Sequence, residues 1–498
     1  MRKNKVLAFL LSSLLLLSSC GIITINRGKE ETNESTSDTD PDITSPIYES
    51  KEYPIVSETD GESLSREKLS ALPDMDFEGI SVFFAAAAET GDLFNEEAGI
   101  YAQSVLLRNQ MVNKKYNTKI ILLRKSTEEL LSDVKAAEKS GDYFADFAVI
   151  RSAEVGNYAT SGYLRNLKSL PYFDPAAESY HAEAMEQLTI GGSVYGAVGY
   201  ATDQIESYAC LYFNKTLAGS VGIELDYNQV YSGALTWEKL LETIKLSPEG
   251  TVPLVSGFDD DETAILSFFS TGQTFLSKEN GSFQVSCDTE QTETLIGLLR
   301  ELLSLKTDSI TKEIPAVPDS GDAGETSGNE TVTLEGMDIF TDGSSLFCFG
   351  TLGMMQELET CGFRWEALPL PKVSEQDEEY STYVTGDAPV ITALSTSNNI
   401  DIMGYILQAL NTASEGYLKY EFYRDAMKNS ITGVNTLDMI DLICENPVYD
   451  FSRMFGESSK ALRNGTYNAF VSAVEGTRDF SYYLSKHKKA LNSYLNSF

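Results

Sequence analysis

The sequence predicts two α/β lobes that face each other across a cleft and are joined by hinge strands. Three observations lead to this fold class. Strand-like and helix-like segments alternate over residues 79–150, and a similar alternation returns after residue 204. Roughly 420 residues follow the polar N-terminal region, which is too many for one hydrophobic core of ordinary size. Two α/β lobes that face each other form a cleft that a hinge can close.

The first lobe is predicted from a strand, helix, strand, helix, strand order. Its segments are strand 79–85, helix 96–116, strand 118–123, helix 128–139 and strand 145–150. Parallel strands need long crossover connections, usually helices, so this order predicts a parallel sheet with helices on both faces.

The second lobe shows a similar pattern. We predict strand 207–213, helix 236–246 beginning at Thr236, strand 283–287 and a helix capped by Asp288 with Gln291 three residues later. That last helix has an apolar stripe at helical spacing, formed by Leu295, Leu298, Leu299, Leu302 and Leu303. Residues 307–335 contain several prolines and glycines and are predicted to be a surface loop.

Residues 1–19 have the pattern of a secretory signal peptide. A cationic start is followed by an apolar run over 6–17, shorter than the roughly 20 residues of a membrane span. Leu17-Ser18-Ser19-Cys20 resembles the lipobox of bacterial lipoproteins, in which cleavage precedes the cysteine and its sulfur receives a diacylglycerol. An ordinary cleaved signal with an incidental Cys20 is the alternative. Two acyl chains hold a protein on a membrane far better than one.

Residues 20–75 are predicted to be a disordered tether between the lipid and the fold. The segment is rich in Ser, Thr, Glu and Asp and holds few large apolar residues. Such a segment cannot bury enough surface to offset its ordering entropy, and charge repulsion extends it.

The net charge of −36 excludes two classes of partner. An acidic surface repels nucleic acid and anionic headgroups, so neither is expected to bind. Metal and cofactor sites are not expected either, because the histidines are only His181 and His487 and no Cys/His cluster occurs. Besides Cys20 an odd number of cysteines remains, so a disulfide framework is not predicted, although a Cys348–Cys361 pair stays open.

Several short motifs follow one another in a recognisable order. They are GYLRNL at 162–167, GSVYGAV at 192–198, LYFNKTL at 211–217, LTWEKL at 235–240, the strand and turn at 340–355, and LPLPK at 368–372. This order resembles the family 1 extracellular solute-binding proteins of bacterial ABC importers, in a carbohydrate-importer-like branch. The resemblance covers about residues 79–450 and departs at Ala197-Val198-Gly199, where many members carry proline.

The resemblance implies a periplasmic-binding-protein-like fold and a monomeric, non-enzymatic protein outside the cell membrane. Such a protein captures a small polar solute, with a sugar or oligosaccharide favoured, and delivers it to ABC permease subunits. The expected division is a signal peptide (1–19), a tether (20–75), lobe 1 (76–203 and 365–430) and lobe 2 (204–364 and 431–498). Crossovers between the lobes are expected near 199–208 and 365–370.

The candidate ligand-binding residues follow from position at strand ends and crossovers. They are Glu89 and Thr90 after the first strand, Arg151 and Ser152 after the third, Asp203 and Glu206 in the first crossover, and Gly350 and Thr351 in a turn of the second lobe. The resemblance adds that some sugar-binding members place a cleft carboxylate at the position of Glu206, nine residues before Lys215. Carboxylates accept hydrogen bonds from hydroxyls, and arginine donates them.

Other signals have simpler interpretations. The acidic run 259–262 lacks the pattern of an EF-hand loop and is predicted to cap a helix. Trp237 is predicted to lie in the core, Trp365 fits either a core strand or a ligand platform, and Tyr208 is a candidate for stacking on a sugar.

Two rival functions remain open at this stage. One is a peptide or amino-acid receptor of the same architecture. The other is a secreted hydrolase, since glycosidases need only two carboxylates across a cleft. Against the hydrolase, the sequence lacks G-x-S-x-G and H-E-x-x-H motifs, and neither histidine lies beside a plausible nucleophile.

Overall fold

The computed structural model describes residues 58–88, 90, 92–97, 99–279, 281–315, 329–377, 379–415, 436–476 and 478–497. Within these residues two separate four-stranded sheets form the centres of two lobes. No helix among them combines the length and the hydropathy needed to cross a bilayer.

The first sheet has the strand order β15-β3-β1-β2. Its strands are β1 (Ile80–Ala87), β2 (Thr118–Lys125), β3 (Phe147–Arg151) and β15 (Pro389–Ala393). Both β2 and β3 pair with β1 in parallel, which confirms the prediction for the first three strands. The edge strand β15 returns from far along the chain and is antiparallel to β3, so the sheet is not wholly parallel.

Helices cover this first sheet. They are α2 (Ala102–Tyr116), α3 (Thr127–Ser140), α4 (Val155–Thr160), α5 (Ala182–Gln187) and α13 (Ile400–Ser414). The prediction for α2 placed its start at residue 96, which is wrong, because Gly99 has a φ of 97° that a right-handed helix excludes. The start of α3 follows local rules, since Ser126 and Glu129 form a complete capping box.

The C-terminal part of the predicted tether is ordered. Residues 20–57 lie outside the described residues, but α1 (Glu58–Ser70) is a helix that packs on α13. Ser65 Oγ donates to the Ala413 oxygen at 2.9 Å, and Leu69 is buried. The prediction of disorder to residue 75 is therefore wrong for this part, because contacts with a distant helix supply the stability that the local composition lacks.

The second sheet is mixed and does not repeat the first. It has the order β13-β6-β12-β7 and consists of β6 (Ala209–Asn214), β7 (Val252–Ser256), β12 (Ser345–Thr351) and β13 (Trp365–Leu368). β6 is antiparallel to both of its neighbours, whereas β12 and β7 are parallel. The expectation of a similar parallel arrangement in the second lobe holds only for that one pair.

Helices of the second lobe and the C-terminal region surround this sheet. They are α6 (Lys215–Val221), α7 (Tyr227–Tyr231), α8 (Trp237–Lys245), α9 (Asp260–Phe269), α10 (Glu290–Ser304), α11 (Met337–Thr341), α12 (Met355–Leu358), α14 (Thr436–Glu445), α15 (Phe451–Phe455), α16 (Lys460–Gly465), α17 (Tyr467–Glu475) and α18 (Phe480–Leu495). Thr236 caps α8 and Asp259 caps α9, as predicted. The cap of α10 is Thr289 rather than Asp288.

Four further strand pairs lie outside the main sheets. They are β4 (Thr189–Ile190) with β5 (Ser193–Val194), β8 (Leu276–Glu279) with β9 (Ser282–Val285), β10 (Ser309–Pro315) with β11 (Asn329–Glu335), and β14 (Thr382–Tyr383) with β16 (Pro447–Val448). The β10–β11 hairpin corrects the prediction of a loop over 307–335, because seven residue pairs join its two strands in register. Residues 316–328 lie outside the described part of the chain.

The crossovers tie the two lobes together. The first passes through residues 199–208, as expected, and leads into β6. The second was expected at 365–370, which is wrong, because Trp365 to Leu368 form β13 and pair with β6. The chain returns to the first sheet later, where Thr385 N donates to the Ser207 oxygen at 3.1 Å before β15 begins.

Both tryptophans belong to the core. Trp237 is fully buried, and its indole Nε1 donates to Ser270 Oγ at 3.0 Å. Trp365 is also buried and donates to the Leu358 oxygen, so the core interpretation is correct for it and the platform interpretation is not. Cys348 and Cys361 are not joined by a disulfide, and neither Cys210, Cys287 nor Cys444 forms one among the described residues.

Candidate functional site

The carboxyl ends of strands from both sheets meet at the two crossovers. After β3, Ser152 N donates to the Ala388 oxygen at 2.7 Å, and Ser152 Oγ approaches the Gly386 oxygen at 3.2 Å. After β12, Leu352 N donates to the Tyr208 oxygen at 2.9 Å. Because the two crossovers are themselves hydrogen-bonded, they connect the end of a first-lobe strand to the end of a second-lobe strand.

Glu206 lies at the centre of this meeting point. The hydroxyl of Tyr101, at the start of α2, donates to Glu206 Oε2. A Cβ added to Gly353 of the second lobe would lie 3.1 Å from the Glu206 Cβ, so the backbone passes close by on that side. The burial of Tyr101 and the nearby charge of Glu206 raise the pKa of Tyr101 well above its usual value. Tyr101 therefore keeps its proton and acts as the donor of this hydrogen bond.

Asp203 is the second carboxylate of the first crossover. It accepts a hydrogen bond from the Tyr208 hydroxyl at 2.9 Å, and His181 Nε2 lies 3.7 Å from Asp203 Oδ1, within ion-pair range. The ring of His181 also faces that of Tyr449, with centroids 6.4 Å apart. Burial alone would lower the pKa of His181, but the Asp203 carboxylate more than offsets burial and raises it.

Arg151 lies at the end of β3, as predicted, and is partly exposed. Its guanidinium reaches Glu154 Oε2 at 3.5 Å and Asp387 Oδ1 at 3.4 Å, with 35% of the side chain accessible. Both distances are long for charge-assisted hydrogen bonds, which are typically about 2.7–2.9 Å. The guanidinium can therefore still donate to a solute.

The remaining candidates have structural roles in this structure. Thr90 is buried, and its hydroxyl donates to the Val149 oxygen at 2.9 Å. Gly350 is packed against the Tyr212 ring, because an added Cβ would meet that ring at 2.9 Å. The Thr351 oxygen accepts from the Tyr212 hydroxyl at 2.6 Å. Glu89 and the lipidation candidate Cys20 lie outside the described residues.

The structure thus places Ser152, Asp203, Glu206 and Thr351 at or beside the crossovers, and Arg151 directly before Ser152 at the end of β3. It also adds three residues that the sequence did not point to, namely Tyr101, His181 and Tyr449. Tyr208, the candidate for stacking, is buried and directs its hydroxyl to Asp203. No local signal marks Tyr101 as a partner of Glu206, because the two residues are 105 positions apart.

Among the described residues around the crossovers, the charge is mostly negative. Four carboxylates, those of Glu154, Asp203, Glu206 and Asp387, stand against the guanidinium of Arg151 and one imidazole. Such a site favours solutes that donate hydrogen bonds and disfavours anions.

Two cavities lie away from this site. One, of about 120 Å³, is lined by residues around α7 and α8, including Phe213, Leu225 and Lys239. The other, of about 240 Å³, lies between α9, α10 and α17 and includes Ala264, Arg300 and Val471. Neither cavity is lined by Arg151, Ser152, Asp203, Glu206 or Thr351. Among the described residues no group of three or more His, Cys, Asp or Glu side chains is placed to hold a metal ion.

Comparison with known proteins gives a match in structure and none in sequence. No protein-family model matches the chain, and no curated protein matches its sequence. The galacto-N-biose/lacto-N-biose I-binding protein of the ABC transporter from Bifidobacterium longum has a TM-score of 0.52 at 13% identity, over 84% of this chain and 98% of that one. The cyclic α-maltosyl-1,6-maltose binding protein from Arthrobacter globiformis has a TM-score of 0.51 at 14% identity, over 84% and 100%.

A third similar structure is the GacH receptor of Streptomyces glaucescens, solved unliganded and with acarbose, with a TM-score of 0.50 at 14% identity over 84% and 99%. These similarities define the class of fold. The chain has the two-lobe periplasmic-binding-protein-like fold, with a ligand cleft between lobes that are joined by hinge strands. This confirms the fold class predicted from the sequence.

Proposed function

We propose that this protein is the extracytoplasmic solute-binding component of an ABC importer and captures a neutral, polyhydroxylated solute such as an oligosaccharide. The observation that carries this proposal is the pair Asp203 and Glu206 in the first crossover. Each already accepts a hydrogen bond from a tyrosine hydroxyl, of Tyr208 and Tyr101 respectively. The carboxylates are thus placed to accept hydrogen bonds from hydroxyl donors at the meeting point of the lobes.

The fold and the order of sequence motifs support the same class. Two proteins of this fold compared above are named for binding lacto-N-biose I and cyclic α-maltosyl-1,6-maltose, and the third was solved in complex with acarbose. The motifs from 162 to 372 resemble those of family 1 solute-binding proteins. In this proposal Arg151 donates to the solute, and hinge closure around the crossovers encloses it.

The N-terminal pattern supports an anchored form of the same protein. We propose that the chain is cleaved before Cys20, lipidated there and held outside the cell membrane, where it delivers solute to permease subunits.

Isothermal titration tests the solute class. The panel contains neutral di- and tetrasaccharides, including lacto-N-biose and maltotetraose, together with a uronic acid, a sugar phosphate and short peptides. We expect binding to a neutral oligosaccharide and none to the anionic sugars, because the site carries excess carboxylate. Binding to peptides alone would favour the peptide-receptor alternative.

Product analysis after long incubation separates binding from hydrolysis. A binding protein leaves the oligosaccharide intact. Consumption of the sugar, abolished by Glu206→Gln, would instead assign the two carboxylates to the hydrolase alternative.

A further inference from the structure

Tyr101 connects the first lobe to the carboxylate at the centre of the proposed site. It immediately precedes α2, and its side chain is only 1% exposed. Its hydroxyl donates to Glu206 Oε2, while the second lobe approaches Glu206 on its Cβ side at Gly353. The Glu206 side chain is therefore approached from both lobes, by Tyr101 at its carboxylate and by Gly353 at its Cβ.

A phenol hydroxyl offers Glu206 the same chemistry as a sugar hydroxyl. Each is an O–H donor, and an ionised carboxylate is an acceptor only. Because the Tyr101 side chain is buried against this oxygen, a solute hydroxyl that approaches Oε2 meets a position already filled. The bond is also charge-assisted, which makes it stronger than one between two neutral groups.

We propose that Tyr101 is an internal competitor of the solute: its hydroxyl occupies Glu206 in the ligand-free protein, and a solute hydroxyl displaces it on binding. This inference rests on the proposed function, since it assigns Glu206 to solute binding. The exchange replaces one O–H donor by another, so no charge is left unpaired in the closed cleft. It favours solutes with enough hydroxyls to make further contacts beyond the one that is exchanged.

The exchange lowers the affinity for the solute, because the contact between Tyr101 and Glu206 has to be broken on binding. The contact between Tyr101 and Glu206 stabilises only the ligand-free protein, and a ligand shifts the balance only by its difference in affinity for the two states. Removing the competitor therefore strengthens binding. If Tyr101 instead held Glu206 in place for the solute, removing its hydroxyl would weaken binding.

The test is titration of Tyr101→Phe with the oligosaccharide panel. We expect about 10-fold tighter binding than in the wild type, as follows from losing one hydrogen bond to a charged group in the free state. In a Glu206→Ala background the same substitution should give no gain. The matched control is Tyr380→Phe, because Tyr380 is also buried and its hydroxyl donates to the Val230 oxygen at 2.9 Å, in the second lobe.

The outcomes separate this inference from the proposed function. Oligosaccharide binding by the wild type with unchanged or weaker binding by Tyr101→Phe would overturn the inference and leave the proposed function intact. No binding by either protein would overturn both. Equal gains in Tyr101→Phe and Tyr380→Phe would show that loosened packing raises the affinity and would also overturn the competitor role.

Discussion

Lys278 in β8 of the second lobe donates from its ammonium to the Thr189 oxygen of the first lobe at 2.7 Å. The same ammonium reaches the Glu186 oxygen at 2.5 Å, close to the C-terminal end of α5. Carbonyls at a helix C-terminus lack partners within the helix and carry partial negative charge, so a cation from the other lobe stabilises them. The side chain also lies over the Phe283 ring at 4.7 Å. One residue of the second lobe thus contacts two backbone oxygens of the first lobe.

Removing this contact should loosen the ligand-free protein. We expect Lys278→Met to lower the free energy of unfolding by about 1 kcal/mol, because the carbonyls of α5 lose a charged donor. Small-angle scattering should show a larger radius of gyration than in the wild type. Lys245→Met is the control, since Lys245 pairs with Glu301 on the surface of the second lobe. An identical scattering curve for Lys278→Met and the wild type would contradict this prediction.

Gly156 in α4 makes a second close approach, to the C-terminal helix α15. A Cβ added there would lie 2.5 Å from the backbone Cα of Phe455 in α15. Gly156→Ala should therefore push these two helices apart and destabilise the protein by about 1–3 kcal/mol, as overpacking does elsewhere. Thermal melting measures the loss. Gly219→Ala is the control, because an added Cβ there meets no atom within 4 Å. Equal melting temperatures for the two variants would refute the prediction.

The His181–Asp203 pair should make stability depend on pH. The pKa of His181 is raised in the folded protein above its ordinary 6.5, so folding favours the protonated imidazole. Its stabilising contribution is fully present below about pH 6.5 and disappears as the pH rises through the folded pKa. The difference in melting temperature between wild type and His181→Gln should therefore shrink from pH 6 to pH 9. A difference that stays constant over this range would mean that His181 contributes only packing.

The variant Arg151→Ala tests the proposed ligand-binding site independently of Glu206. Losing a hydrogen bond to a charged group costs about 1.5–3 kcal/mol, so Arg151→Ala should reduce oligosaccharide affinity roughly 10- to 150-fold. Stability should change little, because the pairs with Glu154 and Asp387 are long and partly exposed. Arg66→Ala, which removes an exposed pair with Glu62 in α1, serves as the control in titration and melting. A large fall in melting temperature with intact affinity would show that Arg151 is structural.

Cys20 tests the proposed anchor. Cys20→Ala should release the protein from the membrane or leave its precursor uncut, because the Cys20 thiol is the proposed acceptor of the lipid. Labelling of cells with a radioactive fatty acid checks this, with Cys361→Ala as the control for label on another thiol. Equal label in wild type and Cys20→Ala would rule out lipidation at this residue.

Local rules explain why much of the first lobe could be predicted from the sequence. Ser126 and Glu129 form their capping box within four residues, and Thr236 and Asp259 cap α8 and α9 in the same local way. The alternation of apolar strands and amphipathic helices then defined the three parallel strands of the first sheet. The cluster of Asp203 and Glu206 in the first crossover followed from its position between the lobes.

Other features depend on contacts between distant parts of the chain. The helix α1 forms in a polar segment because it packs against α13, where Ser65 donates to the Ala413 oxygen. The strand β6 lies antiparallel between strands that come more than a hundred residues later. The sequence by itself determined the class of fold and the strand ends at which we propose that a solute binds. Only the tertiary structure decided that Tyr101 meets Glu206, because a hydrogen bond between residues 105 positions apart depends on how the lobes pack and leaves no periodic pattern in the sequence.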